Sequence, residues 1–258
     1  MKKAVIQAII ILLPAAGCYS AGANAVTADT NSVRETLKKL EQQTAKLNSY
    51  QGQIEYLFSQ PLLDSKTLRK GGLYYQRTGE KTLLRINFET LKQDEGPEQK
   101  YIEHFIFDGV WLTHIDYQIK TVERRQLAEP NEAVDAFELA SRNFPIVGFT
   151  ETAELEKQFE IKPTAKQAEG LTGLYLKPKA DSIYKNNYTS IEFWIDERYY
   201  LPARITAVSA ENDIYEIRFN SPKVNKGIDK AVFEVKIPEG FSEQIIPLKK
   251  KGLDKKQE

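Results

Sequence analysis

The residues of this chain best suited to chemistry are two histidines that flank a predicted Asp-Gly turn. His104 and His114 lie near Glu103 and Asp116 in the sequence, and imidazole and carboxylate groups are both ligands for zinc. The four side chains could therefore be drawn as a metal site across a hairpin. Their spacing, however, does not match a helical ligand motif of the HExxH type. We interpret both histidines as hydrogen-bonded or exposed hairpin residues and predict no metal.

No catalytic residue is predicted elsewhere in the sequence. The chain lacks the G-x-S-x-G, Walker and dinucleotide-binding glycine patterns. Asp135 and Glu138 could suggest a glycosidase, but three-residue spacing is more typical of the solvated face of a helix. Cys18 is the single cysteine, so the folded part has neither a disulfide nor thiol chemistry. We therefore expect a protein that is not an enzyme and needs no cofactor.

Composition favours one folded domain that binds no nucleic acid. The 258 residues are 41% hydrophobic, enough for a sizeable core, and Lys plus Arg equals Asp plus Glu at 36 each. A balanced charge gives no long-range attraction to nucleic acid or to anionic lipid. The domain is expected to cover residues 26–248 and to be a monomer. Residues 249–258 are rich in lysine and are predicted to form a basic, flexible tail.

The N-terminus has the form of a secretory leader. Lys2 and Lys3 precede an apolar segment that is too short to span a bilayer, so residues 1–25 are predicted to direct export to the periplasm. Two processing sites compete. Residues 23–25 (ANA) suit ordinary signal peptidase, whereas residues 15–18 (AAGC) resemble a lipobox, in which Cys18 would be acylated. The first gives a free periplasmic protein and the second a lipoprotein anchored to the outer membrane.

The remaining sequence predicts a mainly β protein with a few helices. Residues 32–35 (SVRE) have the form of a capping box, and apolar residues at spacings of three and four continue the helix to about Asn48. Short helices are predicted at residues 132–142 and 151–157. Alternating apolar residues predict strands at 54–58, 73–77, 84–88, 102–107, 110–117, 119–127, 159–163, 171–177, 188–196, 199–208, 214–220 and 233–237.

So many antiparallel strands are expected to curl, because a wide twisted sheet seldom stays flat. The fold class is therefore an unclosed antiparallel β-barrel, or strongly curled sheet, with an N-terminal helix and short lid helices over its concave face. The period-two pattern aims one set of side chains at that face, and these would line a lipid-binding cavity if the interior is hollow. The predicted lining residues are Ile54, Tyr56, Phe58, Leu73, Tyr75, Leu84, Ile86, Phe88, Ile191, Phe193, Ile195, Tyr215, Ile217 and Phe219.

One charged residue continues an apolar face. Arg77 is in phase with Leu73 and Tyr75, so the alternation aims it inward, unless the strand has already ended and the side chain is solvated. An inward guanidinium could donate to backbone carbonyls at a helix end and so latch a lid. Both interpretations of Arg77 remain open at the level of sequence.

The order of these segments resembles the outer-membrane lipoprotein carrier family, LolA with its receptor relative LolB. Residues 37–58 (LKKLEQQTAKLNSYQGQIEYLF) are similar to the family's first helix and first strand. Residues 72–77 (GLYYQR) resemble its second strand, which carries an arginine associated with lid closure. Asp108-Gly109 with Leu112 resembles its Asp-Gly hairpin, and residues 221–240 resemble its closing strand and Pro-x-Gly terminus. The chain departs from the family at Thr78, where proline usually follows the arginine.

The resemblance implies a function and partners. It implies an unclosed β-barrel with a helical lid that shields the acyl chains of lipoproteins between two membranes. An inner-membrane lipoprotein transporter would load it, and an outer-membrane acceptor would receive the cargo. The alternative is an envelope-associated sensor or scaffold lipoprotein that uses the same fold to bind a protein partner. An esterase-like enzyme is disfavoured because the sequence offers no nucleophile and base.

Overall fold

The computed structural model describes residues 22–79, 81–131, 152–166 and 168–248, and these form one twelve-stranded sheet with two α-helices. The predicted leader up to residue 21 with Cys18, the predicted helix at 132–142 and the basic tail lie outside the described residues. Helix α1 spans Gly22–Ala45 and helix α2 spans Thr152–Gln158. The strands are β1 Ser49–Gln60, β2 Ser65–Thr78, β3 Lys81–Gln93, β4 Gln99–Phe107, β5 Trp111–Asp116, β6 Thr121–Gln126, β7 Phe159–Pro163, β8 Leu171–Pro178, β9 Tyr188–Asp196, β10 Pro202–Ser209, β11 Ile214–Val224 and β12 Ser242–Ile246.

The sheet is open, and nearly all of its neighbours are antiparallel. Its order is β12-β6-β5-β4-β3-β2-β1-β11-β10-β9-β8-β7, with a single parallel pair between β12 and β6. The two edges do not pair with one another, so the sheet curls without closing. This architecture confirms the predicted fold class, a mainly β unclosed barrel with an N-terminal helix.

Bulges and glycines bend the middle strands. The register shifts between Lys70 and Gly71, where β2 pairs with β3, and between Gln51 and Gln53, where β1 pairs with β11. A Cβ atom at Gly71 would lie 1.7 Å from the carbonyl oxygen of Asn87, so the two backbones are closer than any side chain permits. Bulges increase local twist and bend a strand. The curl is thus built into β1 to β3.

The core lies on one side of the sheet, here called the inner face and defined by Ile54, Tyr75 and their register partners. Helix α1 contributes Leu37 and Leu40 to this cluster, and α2 contributes Leu155. A smaller cluster of Ile106, Ile115 and Val122 lies on the opposite, outer face. The inner face is therefore the one that the helices cover.

Two sequence predictions at the ends of the fold are wrong. Helix α1 begins at Gly22 rather than at Ser32, because the preceding segment is rich in alanine, the best helix former, and continues the helix backwards. The predicted strand at 233–237 is instead a short 3₁₀-helix, Lys230–Phe233, followed by an extended segment. Val235 and Ile237 alternate with polar residues but are 38% and 39% exposed, so their periodicity does not report a buried strand face. Strand β12 was not predicted.

The segment from Asn225 to Phe241, here called the strap, crosses the outer face to bring β12 to the far edge. The Arg85 guanidinium holds it by donating to the carbonyl oxygens of Val232 (2.8 Å) and Glu234 (3.2 Å). Farther along, Phe241 packs edge-on against Tyr117 beside the small outer cluster. The strap thus replaces a second helical layer over this part of the outer face.

A histidine completes the anchor of the strap. The Arg85 guanidinium lies 3.2 Å from Nδ1 of His104, which can accept the hydrogen bond only when the ring is neutral. Burial, followed by the charge of Arg85, lowers the pKa of His104 from 6.5 to about 4. The neutral imidazole is therefore part of the folded structure near neutral pH.

Substituting Gly71 by alanine is expected to destabilise the protein by about 1–3 kcal/mol, the range typical of overpacking, because either the Asn87 backbone or β2 must move. Urea unfolding followed by circular dichroism measures this. Gly227→Ala is the matched control, since a Cβ there meets no atom within 4 Å. Equal midpoints for both variants would show that the bend does not need a glycine.

Acidification is expected to weaken the fold through His104. The folded pKa of about 4 lies below the ordinary value of 6.5, so the unfolded chain takes up the proton first. Stability from this group is complete above pH 6.5 and is lost as the pH falls through 4, with a slope below ~1.4 kcal/mol per pH unit, the limit for one proton. Denaturant unfolding between pH 7 and 4 should show a smaller loss in His104→Asn. The control His114→Asn should lose as much stability between pH 7 and 4 as the wild type. If His104→Asn loses stability with the same slope against pH as the wild type, the assignment to His104 is wrong.

Candidate functional site

The inner face gathers the side chains that the alternation predicts for a cavity lining. Buried members of the set, each below 10% exposure, are Ile54, Leu73, Tyr75, Ile86, Phe88, Ile191, Phe193, Ile195, Ile217 and Phe219. Partly buried members are Tyr56, Phe58, Leu84 and Tyr215. The buried members, with Tyr56, Leu84 and Tyr215, lie in one apolar cluster, and Phe58 stacks on Tyr215 with ring centroids 5.0 Å apart. Their assignment as a lipid-binding lining remains a prediction.

Burial divides this face into two regions. Strands β8 to β10 pack without exposed atoms at Ile191, Phe193 and Ile205, in the same cluster as Leu37 and Leu155 of the helices. Half-buried apolar residues occur in both halves of this face: Ile161 and Tyr188 lie on β7 and β9, whereas Leu84, Phe105 and Leu112 lie on β3, β4 and β5. The side chains of β8 to β10 are thus closely packed, and the half-buried residues of β1, β3, β4, β5 and β11 form the candidate surface for a ligand.

Tyrosines mark the border of the half-buried region at the end where the β1–β2 turn lies. Burial raises the pKa of Tyr56 to about 12, and it also raises the pKa values of Tyr188 and Tyr215. Tyr215 raises the pKa of both other tyrosines further by its charge. All three phenols are therefore neutral near neutral pH. Each has an apolar ring and a polar hydroxyl, which suits the boundary between an apolar surface and water.

The two helices form a cover over β7 and its neighbours. Thr152 of α2 donates through Oγ1 to the carbonyl oxygen of Leu37 at 3.4 Å, and Arg34 of α1 lies 3.7 Å from a carboxylate oxygen of Glu156. Both contacts are long, and an exposed ion pair such as that of Arg34 with Glu156 contributes at most ~1 kcal/mol. The apolar residues of the helices, rather than these polar contacts, hold the cover.

Polar side chains fasten the C-terminal end of α1 to the sheet. Nη1 of Arg77 donates to the carbonyl oxygen of Ala45 at 3.0 Å. Asn225 donates to the carbonyl oxygen of Lys46 at 3.2 Å, and its Oδ1 accepts from the backbone N–H of Asn48 at 2.8 Å. Two carbonyls left unpaired at the helix end are thereby satisfied. Arg77 is half-buried; whether its contact works as a latch stays a prediction.

Asn225 was missed at the level of sequence. Its φ of +53° places it in the left-handed region, which asparagine tolerates better than most residues. An asparagine one residue after a strand, followed by Lys226-Gly227, was the available signal. Sequence alone does not say which helix end such a turn would cap.

A second polar group lies on the inner face itself and is here called the Glu103 cluster: Arg69, Tyr101, Glu103 and His114. Glu103 Oε2 is 2.9 Å from Nη1 of Arg69, and its Oε1 is 2.8 Å from Nε2 of His114. The Arg69 guanidinium also lies over the ring of Tyr101, 5.5 Å from its centroid. The cluster joins β2, β4 and β5 at the half of the inner face nearest the β1–β2 turn.

The two histidines do not share a site. His114 belongs to the Glu103 cluster, whereas His104 faces outward to Arg85 and the strap. Within the described part of the chain, no group of three or more His, Cys, Asp or Glu side chains is placed to hold a metal ion. Both histidines are hydrogen-bonded, His104 to Arg85 and His114 to Glu103.

The outer face carries a groove of different character. About 500 Å³ in volume, it runs across β1 to β3 beside Gly71 and Gly72. Its lining side chains are mostly polar and of both charges, among them Gln53, Lys70, Glu98 and Lys223. Such a surface does not suit an acyl chain, so the candidate site is the inner face.

The comparison with protein families assigns this chain to a family. Residues 53–236, most of the chain, match the family described as "Outer membrane lipoprotein carrier protein LolA". The chain belongs to the LolA family. This confirms the resemblance drawn from the sequence, and it indicates an extracytoplasmic binding protein. None of the curated proteins matches the chain significantly.

Several solved structures are similar to this chain at low sequence identity. An uncharacterized conserved protein from Thermus thermophilus is 10% identical, with a TM-score of 0.49, covering 83% of this chain and 99% of that one. A chain of the Pseudomonas aeruginosa MucA/MucB complex is 11% identical, with a TM-score of 0.46, covering 80% of this chain but only 61% of that one. The Mycobacterium tuberculosis lipoprotein LppX is 11% identical, with a TM-score of 0.46, covering 77% and 98%. These likenesses are distant and carry no functional proposal.

Among the residues described, no helix combines the length and apolarity that crossing a bilayer requires.

Arg77→Leu is expected to leave the fold intact and to loosen the end of α1. The variant loses one exposed hydrogen bond, worth about 0.5–1.5 kcal/mol, and frees the Ala45 carbonyl. Hydrogen exchange by mass spectrometry should show faster exchange in a peptide covering residues 40–48. Arg204→Leu is the control, since Arg204 lies over Trp194 away from α1. Unchanged exchange in Arg77→Leu would remove the basis for a latch.

Proposed function

We propose that this chain is a periplasmic carrier that shields the acyl chains of lipoproteins, or of phospholipids, on its inner face for transfer to the outer membrane. The observation that supports the proposal is the half-buried apolar surface over β1 to β5 and β11. It includes Leu84, Phe105 and Tyr215. Membership of the LolA family supports the same role.

The chemistry of the proposed binding step is burial of hydrocarbon. Each methylene removed from water contributes about 0.8 kcal/mol, so two acyl chains bring ample affinity without a nucleotide, metal or covalent bond. The aliphatic and aromatic side chains of the inner face offer a matching surface. We assign no catalytic residue, and in this proposal the protein is not an enzyme.

Release requires a contact that opens at low cost. One polar contact joins the cover to the sheet, from Arg77 to the carbonyl oxygen of Ala45, and another joins the two helices, from Thr152 to the carbonyl oxygen of Leu37. Both exchange readily with water, whereas the apolar core beneath β8 to β10 stays packed. We propose that the cover shifts to admit and release cargo while the packed core of β8 to β10 stays in place.

The partners follow from the family resemblance. An inner-membrane lipoprotein transporter would load the chain, and an outer-membrane acceptor would receive its cargo. If Cys18 is acylated, the protein would act while anchored to the outer membrane, as a receptor; if the leader is cleaved after Ala25, it would act as a free carrier.

A second candidate function is an envelope sensor or scaffold that binds a protein partner. The fully packed region under β8 to β10 favours it, because a core without space there leaves less room for acyl chains. The two candidates differ in what a purified sample should contain.

Native mass spectrometry of protein purified without detergent tests the proposal. We expect phospholipid or acyl chains to accompany the wild-type protein. Protein that stays empty after incubation with phospholipid vesicles would favour the scaffold instead. The same spectra report whether the mature chain starts at Val26 or at an acylated Cys18.

A pair of neighbouring substitutions separates the inner face from the outer. Leu84→Glu places a charge among the half-buried apolar residues and is expected to reduce bound lipid at least tenfold, because a carboxylate cannot be desolvated beside an acyl chain without a partner. Leu83→Glu, one residue away and on the outer face, should bind lipid as the wild type does. Equal loss in both variants would point to unfolding, and equal retention would contradict the proposed site.

A further inference from the structure

The Glu103 cluster marks a boundary in polarity across the inner face. One row of register partners is apolar throughout, running Tyr50, Tyr75, Leu84, Phe107 and Leu112 from β1 to β5. Two rows nearer the β1–β2 turn, the partners are Ile54, Gly71, Phe88, Glu103 and Asp116. Beyond that row, Tyr56 of β1 pairs with Arg69 of β2. On β2, β4 and β5 the face therefore changes from apolar side chains at one end to hydrogen-bonding side chains near the β1–β2 turn.

We propose that the Glu103 cluster is a seat for the polar head of an amphipathic cargo, and that Arg69 binds a phosphate group of that head. The proposal rests on the proposed function, since it supplies the head-binding end of the same acyl site. The ligand class is a diacyl phospholipid or another diacyl cargo with a phosphate-bearing head.

The cluster is costly as a purely structural device. Glu103 is only 5% exposed, and taking a carboxylate and a guanidinium out of water costs several kcal/mol for each ion. Apolar residues of similar size would join β2, β4 and β5 at least as well, since the inner face continues directly into Phe88 and Phe105. A buried charge network at the edge of an apolar face is better explained by something that it binds.

Arg69 has unused donor capacity. A guanidinium carries five N–H groups in a planar fork. Nη1 of Arg69 points to Glu103, while Nε is buried and has no hydrogen-bond partner among the described residues. The side chain as a whole is 28% exposed, so Arg69 is not sealed off from a ligand. A ligand with several acceptor oxygens and no donor matches this fork, as phosphate does.

The neighbouring carboxylates have partners of their own. Oδ1 of Asp116 accepts from the backbone N–H groups of Gln118 and Ile119, at 2.8 and 3.2 Å. Glu123, the register partner of His114, pairs with Arg125 at 2.8 Å. Arg69 balances the charge of Glu103, and Asp116, which accepts from backbone N–H groups here, keeps its negative charge. Free phosphate should therefore bind weakly, and a phospholipid should bind because its acyl chains reach the apolar rows.

The apolar and polar parts touch each other. His114 stacks on Phe105 at 4.4 Å between ring centroids, and Phe105 meets Phe88 edge-on at 6.3 Å. Successive side chains on one face of a strand are about 7 Å apart. A glycerol backbone that spans this distance would place acyl chains on the aromatic rows and phosphate beside Arg69.

Binding of two lipids with identical chains tests the seat. The probes are dioleoyl phosphatidylglycerol, dioleoylglycerol and inorganic phosphate, each with delipidated full-length protein, followed by native mass spectrometry and by displacement of a fluorescent fatty acid. We expect the wild type to bind the phospholipid about tenfold more tightly than dioleoylglycerol, and inorganic phosphate to displace neither. Arg69→Met combined with Glu103→Gln removes both charges together, so no buried ion is left unpaired; it should bind both lipids equally.

Two further variants fix the interpretation. Arg69→Lys keeps the charge but loses the fork, and it should retain only part of the preference. Arg204→Met, an arginine stacked on Trp194 on the outer face, should retain all of it. The headgroup seat is overturned if the double variant still prefers the phospholipid to dioleoylglycerol. It is also overturned if the wild type binds both lipids equally. Neither result contradicts the carrier proposal. Inorganic phosphate that binds as tightly as the phospholipid overturns the headgroup assignment. A wild type that binds neither lipid overturns both proposals.

Discussion

The constraint on which this structure depends is that a twelve-stranded sheet curls but does not close, so its apolar inner face must be covered by something other than itself. Helices α1 and α2 cover β7 to β10 with Leu37, Leu40 and Leu155, and Ile191, Phe193 and Ile205 are fully buried there. Over β1 to β5 the same face also carries half-buried apolar residues, among them Leu84, Phe105 and Leu112. A closed barrel would have removed both edges but would have left no movable wall. The candidate binding surface therefore exists because the sheet does not close into a barrel.

Bending and covering are achieved by different parts of the chain. Glycines and bulges in β1 to β3 set the curvature, since Gly71 brings two backbones closer than a side chain allows. On the outer face, the strap and the Arg85–His104 contact cover what a second helical layer would cover in a thicker protein. The cover of the inner face is fastened at the C-terminal end of α1 by Arg77 and Asn225. Polar contacts thus fix the strap and the end of α1, whereas apolar contacts hold the helices on the inner face.

Much of the inner face could be predicted, because a period of two assigns each residue to one side regardless of which strands pair. Ile54, Leu73, Ile86 and Phe193 lie on the face that the alternation gives them. Local patterns failed where long-range contacts decide the outcome. Phe233, Val235 and Ile237 alternate like a strand, yet they belong to a segment that crosses other strands instead of pairing with them.

The alternating pattern of the sequence also places Arg69 and Glu103 of the Glu103 cluster on the inner face, but this pair was missed at the level of sequence. Arg69 is in phase with Leu73 and Tyr75, as Arg77 is, and Glu103 is in phase with Phe105 and Phe107. The alternation therefore aims both inward, but their pairing depends on register across the bulge between Lys70 and Gly71, which no local pattern encodes.

The strap also has a consequence for the order in which the protein can fold. Strand β12 pairs with β6 across more than a hundred intervening residues, so the edge of β6 stays unprotected until the last part of the chain is available. Closing so long a loop is slow, and an open strand edge invites pairing with other chains. The sheet can assemble from β1 outward, but its far edge is sealed last. A chain delivered from its N-terminus would thus remain vulnerable to aggregation until its final residues arrive.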